Sequence, residues 1–208
     1  KSEDLIINQL NDEKTLISQD DFIHSYPHSW RSKKPLIYRT TSQWFISMEK
    51  NNLRKKAMKE IENVNWIPAV SKKRISSMVQ DRPDWCISRQ RVWGVPITII
   101  YNKETLLPLI DKELNKKIVS FVRTHGVDAW FKEPIENFLG ENYDKNSYEK
   151  VNDILDVWFD SGSSHAFVLK DSGLNEKADL YLEGSDQHRG WFQSSLLESC
   201  AIYDESPY

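Results

Sequence analysis

Apolar residues recur at helical spacing in several stretches and cluster or alternate in others. Leu53, Ala57 and Ile61 lie four apart with Lys55, Lys56 and Lys59 largely off that face, which predicts an amphipathic helix. Ile75, Met78 and Val79 predict another, halted near Pro83. Between Asp111 and His125 the signals agree, with Asp111 as cap, Leu114, Ile118 and Phe121 as the buried stripe and Gly126 as the stop. Phe192, Leu196, Cys200 and Tyr203 are spaced for the core face of a helix beginning near Asp186. A sparser pattern of Leu5, Ile6 and Leu10 predicts a helix over 3–17.

Strand signals fill the gaps. Residues 36–41 read as a strand entering Trp44, Phe45 and Ile46, and 95–101 is a β-branched run. Residues 156–159 read as extended, with Trp158 and Phe159 on opposite faces, leading to a turn over 160–164. A short strand is expected over 178–182. The segment 23–30 fits neither period, and 132–150 is polar enough to predict a surface excursion. There is no internal repeat.

With 208 residues, 39% of them hydrophobic, the chain can bury a real core. A net charge of −3 supplies no general basic field for a nucleic acid, although a local patch can serve. Eight tryptophans are many for this length and suit pockets for apolar or stacked ligands. Two cysteines, Cys86 and Cys200, are too few for a disulfide scaffold and fit a reducing, cytoplasmic setting. The longest apolar run, 95–101, is far short of a membrane span. The chain opens without Met and stops just after a helix, so we expect it to be cut from a longer protein.

Three segments carry candidate chemistry. The first is strand, Glu183-Gly184-Ser185-Asp186-Gln187-His188-Arg189-Gly190-Trp191, helix. Ligands bind beyond the carboxyl ends of strands, where helix N-termini present free N–H groups. Gly184 admits a close backbone approach, and Ser185 or Asp186 can cap. Gln187, His188 and Trp191 are expected to crown one side of the first turn. The plain alternative makes Asp186 a cap and Trp191 core. The second segment is 156–165, in which one of Trp158 and Phe159 can face a pocket and the other the core. In the third, 82–94, Arg82, Arg89 and Arg91 alternate with Trp85 and Trp93. Those residues either grip phosphates and stack bases or staple a joint through Arg–carboxylate pairs. His24 and His28 have a metal-like spacing, but Pro27 argues against a helix there and no third ligand is near, so packed or surface histidines are expected. Lys72, Lys73 and Arg74 read as a solvated helix start.

Taken together, HSYPHSWR (24–31), PLIYRTTSQWFISM (35–48), RPDWCISRQRVWGVPI (82–97), DVWFDSGSSH (156–165) and YLEGSDQHRGWFQSSLL (181–197) closely resemble the isoleucyl-tRNA synthetases of bacterial or organellar type, a class I family. Valyl and leucyl relatives share an element like 87–94 but are not expected to carry the last two segments in these forms. The resemblance implies an α/β fold, the second half of a Rossmann-like catalytic domain preceded by the end of an editing insertion. It implies residues 1–34 as the end of that insertion, 35–102 as a return to the catalytic domain, 103–150 as a small α-rich insertion and 151–208 as the second half of the nucleotide-binding domain. It also implies that Glu183, Gly184, Asp186 and Gln187 surround the ribose and amino group of isoleucyl-adenylate, with His188 beside them and Trp158 and Trp191 near the isoleucine side chain.

ATP, with Mg2+, isoleucine and tRNA(Ile) are the implied substrates and partners, and the full-length enzyme is expected to be a cytoplasmic monomer. The mechanism needs no nucleophilic side chain. Isoleucine against valine is a one-methylene difference too small to exclude by binding, a case for which this family is the standard example. Two departures matter. Many relatives have a zinc-binding cysteine pair where this chain has Ser29 and Ser32, so no metal is expected there. The family's HIGH-type and KMSKS-type motifs are absent from these residues and are expected outside them, which leaves the isolated segment inactive. A non-catalytic, synthetase-like binding module is the rival reading.

Overall fold

The computed structural model describes residues 2–140, 142–174 and 177–208, in two units, Lys1–Thr41 and Ser42–Tyr208. In the first unit α1 spans Ser2–Asp12. Its expected continuation to residue 17 does not form, because Lys14 turns left-handed (φ 54°). The Thr15 N–H then bonds back to Leu10 O and that of Lys14 to Asn11 O, a Schellman stop. The strand expected over 36–41 is also absent. Its chain bonds to the preceding segment through Leu36 N–H to Pro27 O and Tyr26 OH to Leu36 O (2.8 Å). A β-branched sequence without a neighbouring ladder stays irregular. Ser29 and Ser32 lie in the turn between His28 and Pro35, which form an isolated antiparallel bridge.

In the second unit β1 (Phe45–Ile46) is followed by α2 (Leu53–Asn63) and α3 (Val70–Gln80). Then come β2 (Trp85–Cys86), β3 (Ser88–Arg89) and β4 (Ile100–Asn102), followed by α4 (Lys112–His125) and α5 (Ala129–Lys132). The chain finishes with β5 (Tyr148–Lys150), β6 (Ile154–Leu155), α6 (Val157–Gly162), a 3₁₀ turn Ser185–Arg189 and α7 (Trp191–Ile202). Among the described residues the sheets are three antiparallel pairs, β1 with β2, β3 with β6 and β4 with β5. The fold is thus mixed helix and small sheet.

Two cores organise it. Leu53, Ala57 and Ile61 of α2 pack with Ile75 and Val79 of α3 and with Phe192, Leu196 and Cys200 of α7. Arg54 ties α2 to the end of α3 by donating to the carbonyls of Val79 and Gln80 and, just beyond the helix, of Arg82. The second core sets Leu114 and Ile118 of α4 against Ile100, Trp130, Phe138 and Leu139. Asp111 caps α4 through Glu113 N–H and Leu114 N–H, and Gly126 ends it at φ 82°.

Residues 132–150 are therefore more than a surface excursion. Phe138 is wholly buried, and β5 returns to pair with β4. The run 95–101 is a strand only at its end. Pro96 has no N–H to give the ladder, and the Ile99 N–H turns inward to Ile97 O. Tyr203 falls beyond α7, and the helix expected from Asp186 is broken at Gly190 into a 3₁₀ turn and α7. Ala178 N–H bonds Pro207 O, and 178–182 pairs with no strand among the described residues, so the expected strand does not form.

Candidate functional site

Asp156 is the hinge of the site. The β3–β6 pairing and the bond from Asp156 N–H to Ile87 O deliver it beside Trp85 and Arg89. Its buried carboxylate accepts from Trp85 Nε1 (3.2 Å), Arg89 Nη2 (2.9 Å) and the Trp158 N–H (3.3 Å). The last bond starts α6 as an N-cap. Residues 157–162 are therefore helical rather than extended, and the expected turn at Asp160 lies inside the helix. Phe159 packs on Trp85, with ring centroids 5.9 Å apart, and Trp158 is left 40% exposed.

The arginine–tryptophan segment resolves mainly into a joint. Arg82 donates to Gln193 of α7 and lies 5.4 Å from the Trp85 ring centre. Burial lowers its pKa, partly offset by Asp156. Of its arginines and tryptophans, Arg91 and Trp93 are the two that stand open to solvent.

The Glu183–Trp191 segment forms a linked polar chain. A Cβ at Gly184 would come 2.6 Å from Asp186 Oδ1. Gln187 Nε2 donates to Asp186 Oδ2 (3.0 Å), and Gln187 Oε1 accepts the Trp191 N–H (3.0 Å). Gln187 thus caps α7, a role expected of Ser185 or Asp186, neither of which makes such a bond. A Cβ at Gly190 would come 2.7 Å from both Gln187 Oε1 and the Trp158 ring, so the glycine is what admits that ring. Trp158, Gln187, Asp186 and Gly184 are thereby brought into one neighbourhood.

His188 and Trp191 diverge from the expected common face. His188 is 2% exposed, bonds Ser185 O through Nδ1 (2.7 Å) and packs on Trp66 and Phe192. Its Nε2 has no partner. Trp191 stacks on Tyr181 at 4.0 Å and 11°, and its Nε1 donates to Ser164 (2.9 Å). A groove of about 1050 Å³ runs past Trp66, Pro68, Arg74, Glu183, His188 and Tyr208. Glu183, on this groove, and Asp186 are exposed carboxylates, suited to accept from hydroxyl or ammonium donors. No group of three or more His, Cys, Asp or Glu side chains among the described residues could hold a metal. Ser29 Oγ accepts from Ser32 N–H (3.2 Å) and Ser32 Oγ lies 3.4 Å from Lys34 N, neutral hydroxyls that do not fit zinc. No helix among those residues is long and apolar enough to cross a membrane.

Glu198 is the residue the sequence reading missed. It is the only charged residue between Trp191 and Tyr203, and it is buried against α6. A lone acid in a helix with Ser194, Ser195 and Ser199 around it was the available signal.

A family model described as tRNA synthetases class I (I, L, M and V) matches residues 6–208. Curated relatives named isoleucine–tRNA ligase are similar along nearly the whole chain. That of Pelagibacter ubique is 51% identical over 100% of this chain and 23% of its own length. That of Zymomonas mobilis is 53% identical over 98% and 23%, and that of Aquifex pyrophilus 53% identical over 98% and 40%. The chain therefore spans about a quarter of the first relatives' length.

Proposed function

The chain belongs to the class I tRNA synthetases of the isoleucyl, leucyl, methionyl and valyl group, and from that premise we propose that it is part of an isoleucine–tRNA ligase. The observation that carries the specificity is whole-chain identity of 51% and above to relatives of that name. In this reading 151–208 is the second half of a Rossmann-like domain and 178–182 its edge, waiting for a partner strand outside the chain. Residues 1–34 close an editing insertion, 35–102 return to the catalytic domain and 103–150 form a small insertion.

The site residues divide by chemistry. Glu183 and Asp186 accept hydrogen bonds from the substrate ammonium and ribose hydroxyls, with Gly184 allowing the backbone close. Gln187 holds Asp186 on one side and α7 on the other, so it orients the acid. Trp158 and Trp191 wall the branched side chain. His188 acts from behind, packed in the core.

The isoleucine carboxylate attacks the α-phosphate of ATP, which enters as its magnesium complex, and pyrophosphate leaves. A terminal hydroxyl of tRNA(Ile) then attacks the adenylate carbonyl and releases AMP. These residues supply positioning rather than a nucleophile. The turn with Ser29 and Ser32 holds no zinc, and the working protein is a cytoplasmic monomer. ATP–pyrophosphate exchange by the full-length protein with each amino acid in turn tests the reading. Exchange strongest with isoleucine supports it; no amino-acid-dependent exchange would leave a binding module instead.

A further inference from the structure

We propose that Glu198 is a positioning residue for the amino-acid pocket. Its buried carboxyl locks α6 against α7 and so sets Trp158 and Trp191, the walls assigned above, on which this proposal rests.

The α6–α7 joint is very close. A Cβ at Gly162 would collide with Glu198 Oε1, lie 2.7 Å from its Cδ and reach 3.0 Å from the Ser194 backbone. Both walls hang from this joint. Trp158 rides on α6 and abuts Gly190, while the Trp191 indole donates to Ser164, one residue past Ser163.

The hydrogen bonds at Ser163 suit a proton on Glu198. Ser163 Oγ is 2.8 Å from Phe159 O and 3.1 Å from Glu198 Oε2. One hydroxyl hydrogen cannot serve both acceptors fully. With Glu198 neutral, Ser163 donates to Phe159 O and the acid donates to Ser163 Oγ, and the chain closes. With Glu198 ionised, the carboxylate competes for that hydrogen, and its Oε1 is buried without a partner. Burial pushes Glu198 up to about 8, with Asp160 adding to the rise and the Ser163 hydrogen bond opposing it.

Among the titratable groups around it, Asp160 adds to the rise. Asp160 on α6 is itself pushed up by burial and by Asp156, and Tyr181 is pushed up chiefly by burial. His165, bonded to Gly162 O, has its pKa lowered by burial. Ionisation of Glu198 therefore opens the joint and displaces both tryptophans.

The test is the pH dependence of the KM values for isoleucine and ATP in pyrophosphate exchange, using the full-length protein from pH 6.5 to 9.5. The unsubstituted protein should show a rise in KM for isoleucine of roughly tenfold between about pH 7 and 9 beyond that of Glu198→Gln, which keeps the neutral shape. The difference isolates Glu198, because ionisation of isoleucine itself is common to both proteins. At pH 7 Glu198→Gln should stay within about twofold, and Glu198→Asp, a methylene short, should raise KM for isoleucine about fivefold with that for ATP unchanged. Parallel profiles for the unsubstituted protein and Glu198→Gln, or equal shifts for both substrates, would overturn the Glu198 role alone. Absence of isoleucine-dependent exchange by the unsubstituted protein would overturn the underlying reading as well.

Discussion

Asp156→Ala should loosen the short helix that carries Trp158, and the size of the effect follows from three bonds. The Trp158 N–H loses its cap, about 1 kcal/mol. The Trp85 indole N–H is stranded in a buried place, about 1–2 kcal/mol. Arg89 loses its ion pair, but its side chain is 40% exposed, so this adds less than about 1 kcal/mol. The sum is about 3 kcal/mol, or roughly a hundredfold in the local opening constant. Hydrogen exchange of the full-length protein, followed in peptides covering 157–163, measures that constant directly. Asp156→Asn keeps an acceptor of the same shape and should lose only about 1 kcal/mol. Acceleration below about threefold in Asp156→Ala would refute the assignment of Asp156 as the hinge of α6.

Further outcomes follow from the same geometry. Trp158→Ala should raise KM for isoleucine by roughly 2 kcal/mol, about 30-fold, and leave KM for ATP nearly unchanged in pyrophosphate exchange; equal effects on both would take Trp158 out of the amino-acid pocket. Metal analysis of the full-length protein should find no zinc at Ser29 and Ser32, whereas Ser29→Cys with Ser32→Cys should create affinity for it; stoichiometric zinc bound there in the unsubstituted protein would contradict this. Because folded Glu198 keeps a proton that the unfolded chain releases, local stability of the α6–α7 joint should fall as pH rises from 4.5 to about 8, by about 1.4 kcal/mol per pH unit, and then level off. Hydrogen exchange across that range should show the slope in the unsubstituted protein and none from this residue in Glu198→Gln. The 208-residue chain alone should show no isoleucine-dependent exchange, since nothing in it matches the family's phosphate-binding motifs.

Much of the fold was legible where local signals are self-sufficient. The α4 helix has its cap, stripe and stop within one segment, so Asp111, Leu114, Ile118 and Gly126 declared it. The segments 36–41 and 178–182 look like strands, but a strand exists only through its neighbour, and none of the described residues supplies one. The DSGSS stretch reads as a turn because serine and aspartate favour turns. In the fold Ser161, within α6, and Ser163, at its end, bond back to carbonyls four residues earlier, which lets the stretch wind as a helix. Of the site, Asp186, Gln187 and Trp158 were legible as neighbours. The inward turn of His188 was not, because a 3₁₀ turn broken at Gly190 rotates its face away from that of α7. Glu198 escaped notice because acids on helices are ordinarily solvated.

The most direct test of the central claim is the rate of isoleucine-dependent ATP–pyrophosphate exchange by the full-length protein, with and without Glu183→Ala and Asp186→Ala. Each lost charge-assisted hydrogen bond should cost about 2 kcal/mol of transition-state binding, so the double substitution should lower kcat/KM for isoleucine by about a thousandfold or more. Exchange that is unaffected by the two substitutions, or that proceeds as well with another amino acid as with isoleucine, would contradict the account.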